Sequence, residues 1–209
     1  MSSSFIPDSE LQLLFDPSII PEHIIKSLPD DLHVRYAIPS VPHNLTNKFS
    51  VQIRPLASTD ISRGHFSVLN VLSPSPTPSV EAYKDHFNLL RTVNASTSSI
   101  NSTNPLVKAP TYLVLAIVSK ANDQVVATGS LFIERKFLRG LSLVGHIEDI
   151  AVDKNVQGKR LGWRVVVALT ELSESLGAYK TILNCSTDNI RKHSFKPDIS
   201  CASPNLMLS

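Results

Sequence analysis

HIEDIAVDKNVQGKRLGWRVVVALTELSESLG, residues His146 to Gly177, decides the fold. His146 to Val152 alternates and then turns apolar at Ile147, Ile150 and Val152, which suits a strand with one buried face. Asp153, Lys154 and Asn155 form a turn. Gly158 and Gly162 bracket the first turn of a helix, whose apolar residues Leu161, Val165, Leu169, Leu172 and Leu176 recur at helical spacing until Gly177 stops it. A helix start presents unpaired N–H groups and the positive end of the helix dipole. Two glycines and two cations, Lys159 and Arg160, make it a cradle for a pyrophosphate. Glycine spacing alone leaves a second reading open, a solvated basic turn opening an ordinary helix.

The elements around this unit complete an α/β chain. Phe49 to Pro55 alternates as a first strand. Thr59 or Asp60 caps a helix running to Leu72, and Ser79 caps another running to Val93. Ser73 to Pro78 alternates serine or threonine with proline and forms a stiff connector. Asn94 to Pro110 reads as a long polar loop. Tyr112 to Ser119 is an apolar run suited to a buried strand; Gln124 to Arg135 is its hairpin partner across Ala121, Asn122 and Asp123. The 146–177 unit then crosses to a strand over Tyr179 to Cys185, long enough a crossover to make that last pair parallel. Residues 1–48 are broken by Pro17, Pro21, Pro29, Pro39 and Pro42 and read as a mobile or surface-wrapping extension, a disordered tail before anything else, with one short helix over Glu10 to Phe15.

Composition narrows the class. The 209 residues are 42% hydrophobic and 18% charged with a net charge of +2, ordinary for one globular domain and no mark of a nucleic-acid binder. Cys185 and Cys201 make neither a disulfide framework nor a zinc spacing, and the histidines are scattered, so no metal is expected. No apolar run approaches membrane-spanning length, and the amino terminus lacks a basic leader. The sequons at Asn44, Asn94, Asn101 and Asn184 are then chance matches, and the expected compartment is the cytoplasm.

The motifs also carry a resemblance. QGKRLG, Gln157 to Gly162, resembles the acetyl-CoA pyrophosphate loop of the GNAT superfamily of N-acyltransferases, Q/R-x-x-G-x-G/A, with Arg160 where that pattern prefers glycine. HIEDIAV, with ERKF at Glu134 to Phe137 and YKTILNC at Tyr179 to Cys185, resembles the glucosamine-6-phosphate N-acetyltransferase branch. FDPSII, Phe15 to Ile20, is similar to an amino-terminal element of some members. The resemblance implies a GNAT fold over residues 49–191, a mixed, mostly antiparallel sheet flanked by helices. It implies acetyl-CoA as co-substrate, a homodimer, and N-acetylation of glucosamine 6-phosphate on the route to UDP-N-acetylglucosamine.

Site residues follow from the resemblance by position. Ile150, Ala151 and Val152 would meet acetyl-CoA through their backbone. Gly158, Lys159, Arg160, Leu161, Gly162 and Trp163 would hold the pyrophosphate, and Asn189 matches a family asparagine near the cofactor. Ser73, Lys136, Phe137, Leu138 and Arg139, with Glu148, Asp149 and Ile150, would form the sugar site, Lys136 and Arg139 as phosphate partners. Adjacent strand residues face opposite ways, so only one of Glu148 and Asp149 is expected to face substrate by side chain. Asn184 stands where relatives often carry an acidic residue; it would orient the amine while water takes the proton.

Residues 192–209 depart from the family. KHSFKPDISCASPNLMLS lacks the Phe-Tyr pair, whose tyrosine is the family's expected proton donor to the departing thiolate, and the final strand. The expectations are a bare edge on the Tyr179 to Cys185 strand, reduced stability, and weak turnover. Two alternatives stand beside the main reading: a GNAT enzyme for another amine, and a catalytically impaired chain that binds acetyl-CoA or pairs with full-length subunits.

Overall fold

The computed structural model describes residues 5–26, 50–184 and, as backbone, 199–202. Six strands, β1 (Val51–Pro55), β2 (Tyr112–Ser119), β3 (Gln124–Arg135), β4 (Leu143–Val152), β5 (Ala178–Asn184) and β6 (Ile199–Ala202), lie side by side in chain order. The first four pair antiparallel, and β5 and β6 add in parallel. The β2–β3 hairpin forms over the residues its apolar pattern marks, because a strand buried on both faces needs a continuous apolar run. Helix α6 (Leu161–Ser175) is the crossover between β4 and β5 and buries Leu161, Val165, Leu169 and Leu172 on one sheet face. Each such burial contributes roughly 1.5–3 kcal/mol. On the other face lie α2 (His65–Leu69) and α3 (Val80–Ser98). Among the described residues, no helix is long and apolar enough to cross a membrane.

Four expectations change. The first is the helix over residues 60–72: only His65–Leu69 is helical. Asp60 is bound to Arg54 Nη1 and Nη2 at 2.8 and 2.7 Å and to Ala57 N at 2.8 Å, so its side chain caps no helix. The second is the polar loop from Asn94. Helix α3 continues to Ser98, and the one-turn α4 (Pro105–Lys108) follows. Asn94 is buried; its amide donates to Tyr112 O at 2.7 Å and accepts from Thr111 N and Tyr112 N, fixing α3 to the start of β2.

The third is the amino terminus, read as an extension. Its residues 5–26 are packed onto the fold: Leu14 N donates to Leu56 O at 2.9 Å and Ser58 N to Gln12 O at 3.0 Å. Leu14, Phe15, Ile20 and Ile24 join the core. No helix forms over Glu10 to Phe15; 3-10 turns at Asp8–Glu10 and Pro17–Ile19 and the short α1 (Glu22–Lys26) flank it. Residues 27–49 lie outside the described residues. The fourth is the bare edge of β5. β6 pairs with it from Thr181↔Ile199 to Asn184↔Ala202. Pro197 and Pro204 flank those four residues and so do not interrupt the ladder.

Candidate acyl-transfer site

A β-bulge in β4 organises the site. Thr128 pairs with Ala151 and Ser130 with Glu148, so Gly129 stands opposite two residues, Asp149 and Ile150. The extra residue is accommodated by a left-handed Asp149, φ 55°. Aspartate tolerates that conformation better than most residues. A Cβ on Gly129 would lie 2.4 Å from Ile150 Cδ1 and 2.5 Å from Val165 Cγ1, so glycine is what lets α6 and the bulge close on each other. The bulge also breaks the alternation: Glu148 and Asp149 both reach solvent over part of their surface.

The β3–β4 ladder runs on to Ala127↔Val152, while the described β4–β5 ladder stops at Ile147↔Leu183. Among the described residues no strand is paired with Ile150 to Val152 on the β5 side of β4; strand backbone groups of this kind can hydrogen-bond an extended ligand. On the α2 side of the same bulge sits a cavity of about 350 Å³ lined by His65, Tyr83, Tyr112, Thr128, Ser130 and Asp149. Burial raises the Asp149 carboxyl above its usual range and the Glu148 charge raises it further, while a hydrogen bond with Ser130 opposes them. A carboxyl with raised affinity for protons beside the cavity is suited to take one from an incoming ammonium.

The loop after β4 leads directly into the start of α6. Lys154–Val156 is a 3-10 turn, Gly158 has φ 82°, and Arg160 is the N-cap residue of α6 with φ 57°. No side chain caps the helix start, and its first turn holds no acidic residue. Instead Arg160 and Arg164 face each other closely enough that burial first, and Arg160 second, lower the Arg164 affinity for its proton. Positive charge at a helix start opposes the dipole, so this arrangement is favourable when an anion sits there. A Cβ on Gly162 would meet Val152 Cγ2 at 3.3 Å; glycine brings the helix start against β4. The residues present therefore fit a diphosphate.

The left-handed Arg160 explains the family preference for glycine at its position. Arg160→Gly is expected to act in opposite directions on two readouts. Relief of a left-handed side chain, worth about 1–2 kcal/mol less the added freedom of glycine, raises the melting temperature slightly. If Arg160 meets the diphosphate of acetyl-CoA, as the resemblance implies, its loss is expected to weaken acetyl-CoA binding about tenfold, measured by calorimetry.

The other expected residues are distributed unevenly. Ser73 is exposed at the start of the connector whose Pro76 and Pro78 line the cavity. Asn184 is the last residue of β5, and Asn189 lies outside the described residues. Lys136, Phe137, Leu138 and Arg139 sit at the far end of β4, in the β3–β4 loop, which contains the single left-handed turn α5 (Leu138–Leu141). Leu143 and Asp149 are six residues apart on one strand, so about 20 Å separates that loop from the bulge. One chain does not bring the two halves of the expected sugar site together. The sequence reading missed Ser130 and His65. A hydroxyl two residues from Thr128 on β3 was its only mark of the first; a histidine opening an apolar helix was the mark of the second.

Comparison with known proteins agrees with this geometry. Residues 81–195 match the model of the acetyltransferase (GNAT) family. A glucosamine 6-phosphate N-acetyltransferase of Oryza sativa subsp. japonica is 39% identical over 137 residues, 66% of this chain and 74% of that one. One of Dictyostelium discoideum is 31% identical over 68% of this chain and 80% of its own. The crystal structure of the glucosamine-6-phosphate N-acetyltransferase of Arabidopsis thaliana superposes with a TM-score of 0.58 at 30% identity, covering 70% of this chain and 93% of that one. The bulged β4, the uncapped basic helix start and these likenesses together place the chain in the GNAT acetyltransferase family.

Proposed function

We propose that this chain transfers the acetyl group of acetyl-CoA to the amine of glucosamine 6-phosphate, as a homodimer, on the route to UDP-N-acetylglucosamine. One observation carries the reading: a cationic helix start packs, through Gly162, against the bulged end of β4 that bears Glu148 and Asp149. Acetyl-CoA supplies an activated carbonyl and a thiolate leaving group. The helix start with Lys159 and Arg160 holds its diphosphate. Backbone N–H groups of Ile150 to Val152 stabilise the carbonyl oxygen as charge builds on it. Asp149 takes a proton from the ammonium, so that the amine nitrogen can form the C–N bond as the C–S bond breaks.

The homodimer follows from distance and exposure. Lys136 and Arg139 reach a phosphate beside the bulge only if a second copy presents them there. Phe132, Phe137, Leu138 and Leu141 are exposed large apolar side chains on that side and loop, Phe137 at 95%. An apolar group of this kind marks a surface that a partner covers. Sedimentation of the purified chain with and without Phe137→Asp and Leu138→Asp tests the assembly. Activity on an amine panel tests the substrate: turnover of glucosamine 6-phosphate well above that of other amines supports the reading, and equal turnover of unrelated amines overturns it.

A further inference from the structure

Both cations of the β3–β4 loop are already held by neighbours that leave their donors available. Lys136 Nζ donates to Glu134 Oε1, and the other Glu134 oxygen accepts from His146 Nε2 at 2.9 Å. The Lys136 bond first, and the His146 bond second, lower the carboxyl of Glu134, which stays charged. An ammonium has three donors, so one bond to Glu134 leaves two for a ligand. Arg139 is held differently. Its guanidinium carbon lies 4.7 Å from the centroid of the Tyr179 ring, and Lys180 Nζ lies 5.8 Å from the same centroid. A guanidinium stacked on a ring face uses none of its N–H edge, the edge that meets a phosphate in bidentate fashion.

Long cationic side chains lose rotamer freedom when they bind, and holding them beforehand reduces that loss. We propose that Glu134, His146 and Tyr179 are positioning residues that hold Lys136 and Arg139 ready for a phosphate dianion. The proposal rests on the reading of Lys136 and Arg139 as phosphate ligands. Glu134 lies near the end of β3, two residues before Lys136 in the loop, and His146 is paired with Phe132 across the β3–β4 ladder. Tyr179 reaches the loop from β5, the strand that α6 delivers. The loop is thus organised from three strands, although its tip is exposed.

Steady-state kinetics of the full chain on glucosamine 6-phosphate and on glucosamine, which lacks the phosphate, separate this role from a general structural one. Tyr179→Leu and Glu134→Gln are each expected to raise KM for glucosamine 6-phosphate about threefold, with kcat and the KM for glucosamine unchanged. Tyr179→Phe keeps the ring face and is expected to restore the lower KM. An unchanged KM in both first variants, or an equal rise for both sugars, overturns the proposal. A wild-type chain that does not distinguish the two sugars refutes the phosphate reading itself, and the proposal with it. If turnover is too slow to measure, titration with inorganic phosphate can be followed at the Arg139 Nε–H resonance by NMR. A shift at lower phosphate in the wild type than in Tyr179→Leu supports the role; equal titrations, or no shift in the wild type, overturn it.

Discussion

Asp60→Ala is expected to destabilise the fold by about 3–5 kcal/mol, the cost of removing one partner from a buried ion pair. Asp60 is wholly buried, and the Arg54 side chain it meets is 1% exposed. Asp60 accepts from both terminal nitrogens of Arg54 and from Ala57 N, and Arg63 Nη1 lies 3.5 Å away. Arg63 in turn donates to Asp123 at 2.7 Å in the β2–β3 turn, so one cluster ties β1, the approach to α2 and the hairpin together. Without Asp60 a guanidinium is left in the core with Asp8 Oδ1 at 3.7 Å as its nearest remaining carboxylate in the cluster. A loss of this size is a large part of the stability of a domain. Chemical denaturation of the variant beside Asp60→Asn measures it. The asparagine keeps one acceptor for Arg54 and is expected to fall between wild type and alanine. Equal midpoints for all three would contradict the assignment.

His65 predicts acid lability. Burial brings its affinity for a proton down to a pKa of about 4, Arg54 adds to the shift, and Asp60 opposes it. The unfolded value is near 6.5, so between the two the unfolded chain binds a proton that the folded chain does not. Stability is therefore complete above pH 6.5 and falls as pH drops towards 4, by roughly 3 kcal/mol over the window. The side chain has a second cost. Thr128 Oγ1 donates to Leu115 O at 3.0 Å, so it meets His65 Nε2 at 3.4 Å as an acceptor, and Nε2 carries the proton. Nδ1 is then a buried acceptor that meets no donor among the described residues. His65→Phe removes both costs and keeps edge-to-face contacts with Phe66 and Tyr83. Its denaturation midpoint is expected to exceed wild type at pH 7 and to exceed it by more at pH 5. An unchanged pH dependence in the variant would locate the acid lability elsewhere.

The legible parts of the chain were those with a strong local period. Tyr112 to Ser119 and Gln124 to Arg135 are long β-branched or apolar runs around a short polar turn, and they fold over those residues. Leu161 to Leu176 carries a helical stripe and a glycine stop, and α6 follows it. The bulge was not legible, because a period of two cannot show where an extra residue enters. Its traces, a glycine at 129 and an aspartate at 149, gain meaning only when the register sets them opposite each other. Asn94 was hidden for a related reason: its hydrogen bonds go to Thr111 and Tyr112, far along the chain. Non-local contacts also explain why residues 5–26 looked like a loose extension. Their short apolar groups join the common core without any periodicity of their own. The uncapped helix start was readable because its glycines and cations are adjacent in sequence. That the residues expected around the sugar lie at opposite ends of β4 shows only once the strand is laid out.

The most direct measurement mixes the purified chain with acetyl-CoA and glucosamine 6-phosphate and follows release of the CoA thiol. The account predicts thiol release that depends on the sugar phosphate, with the acetylated sugar formed in equal amount. No release alongside measurable acetyl-CoA binding would contradict it, leaving a GNAT chain that holds the cofactor through α6 and β4 without carrying out the transfer.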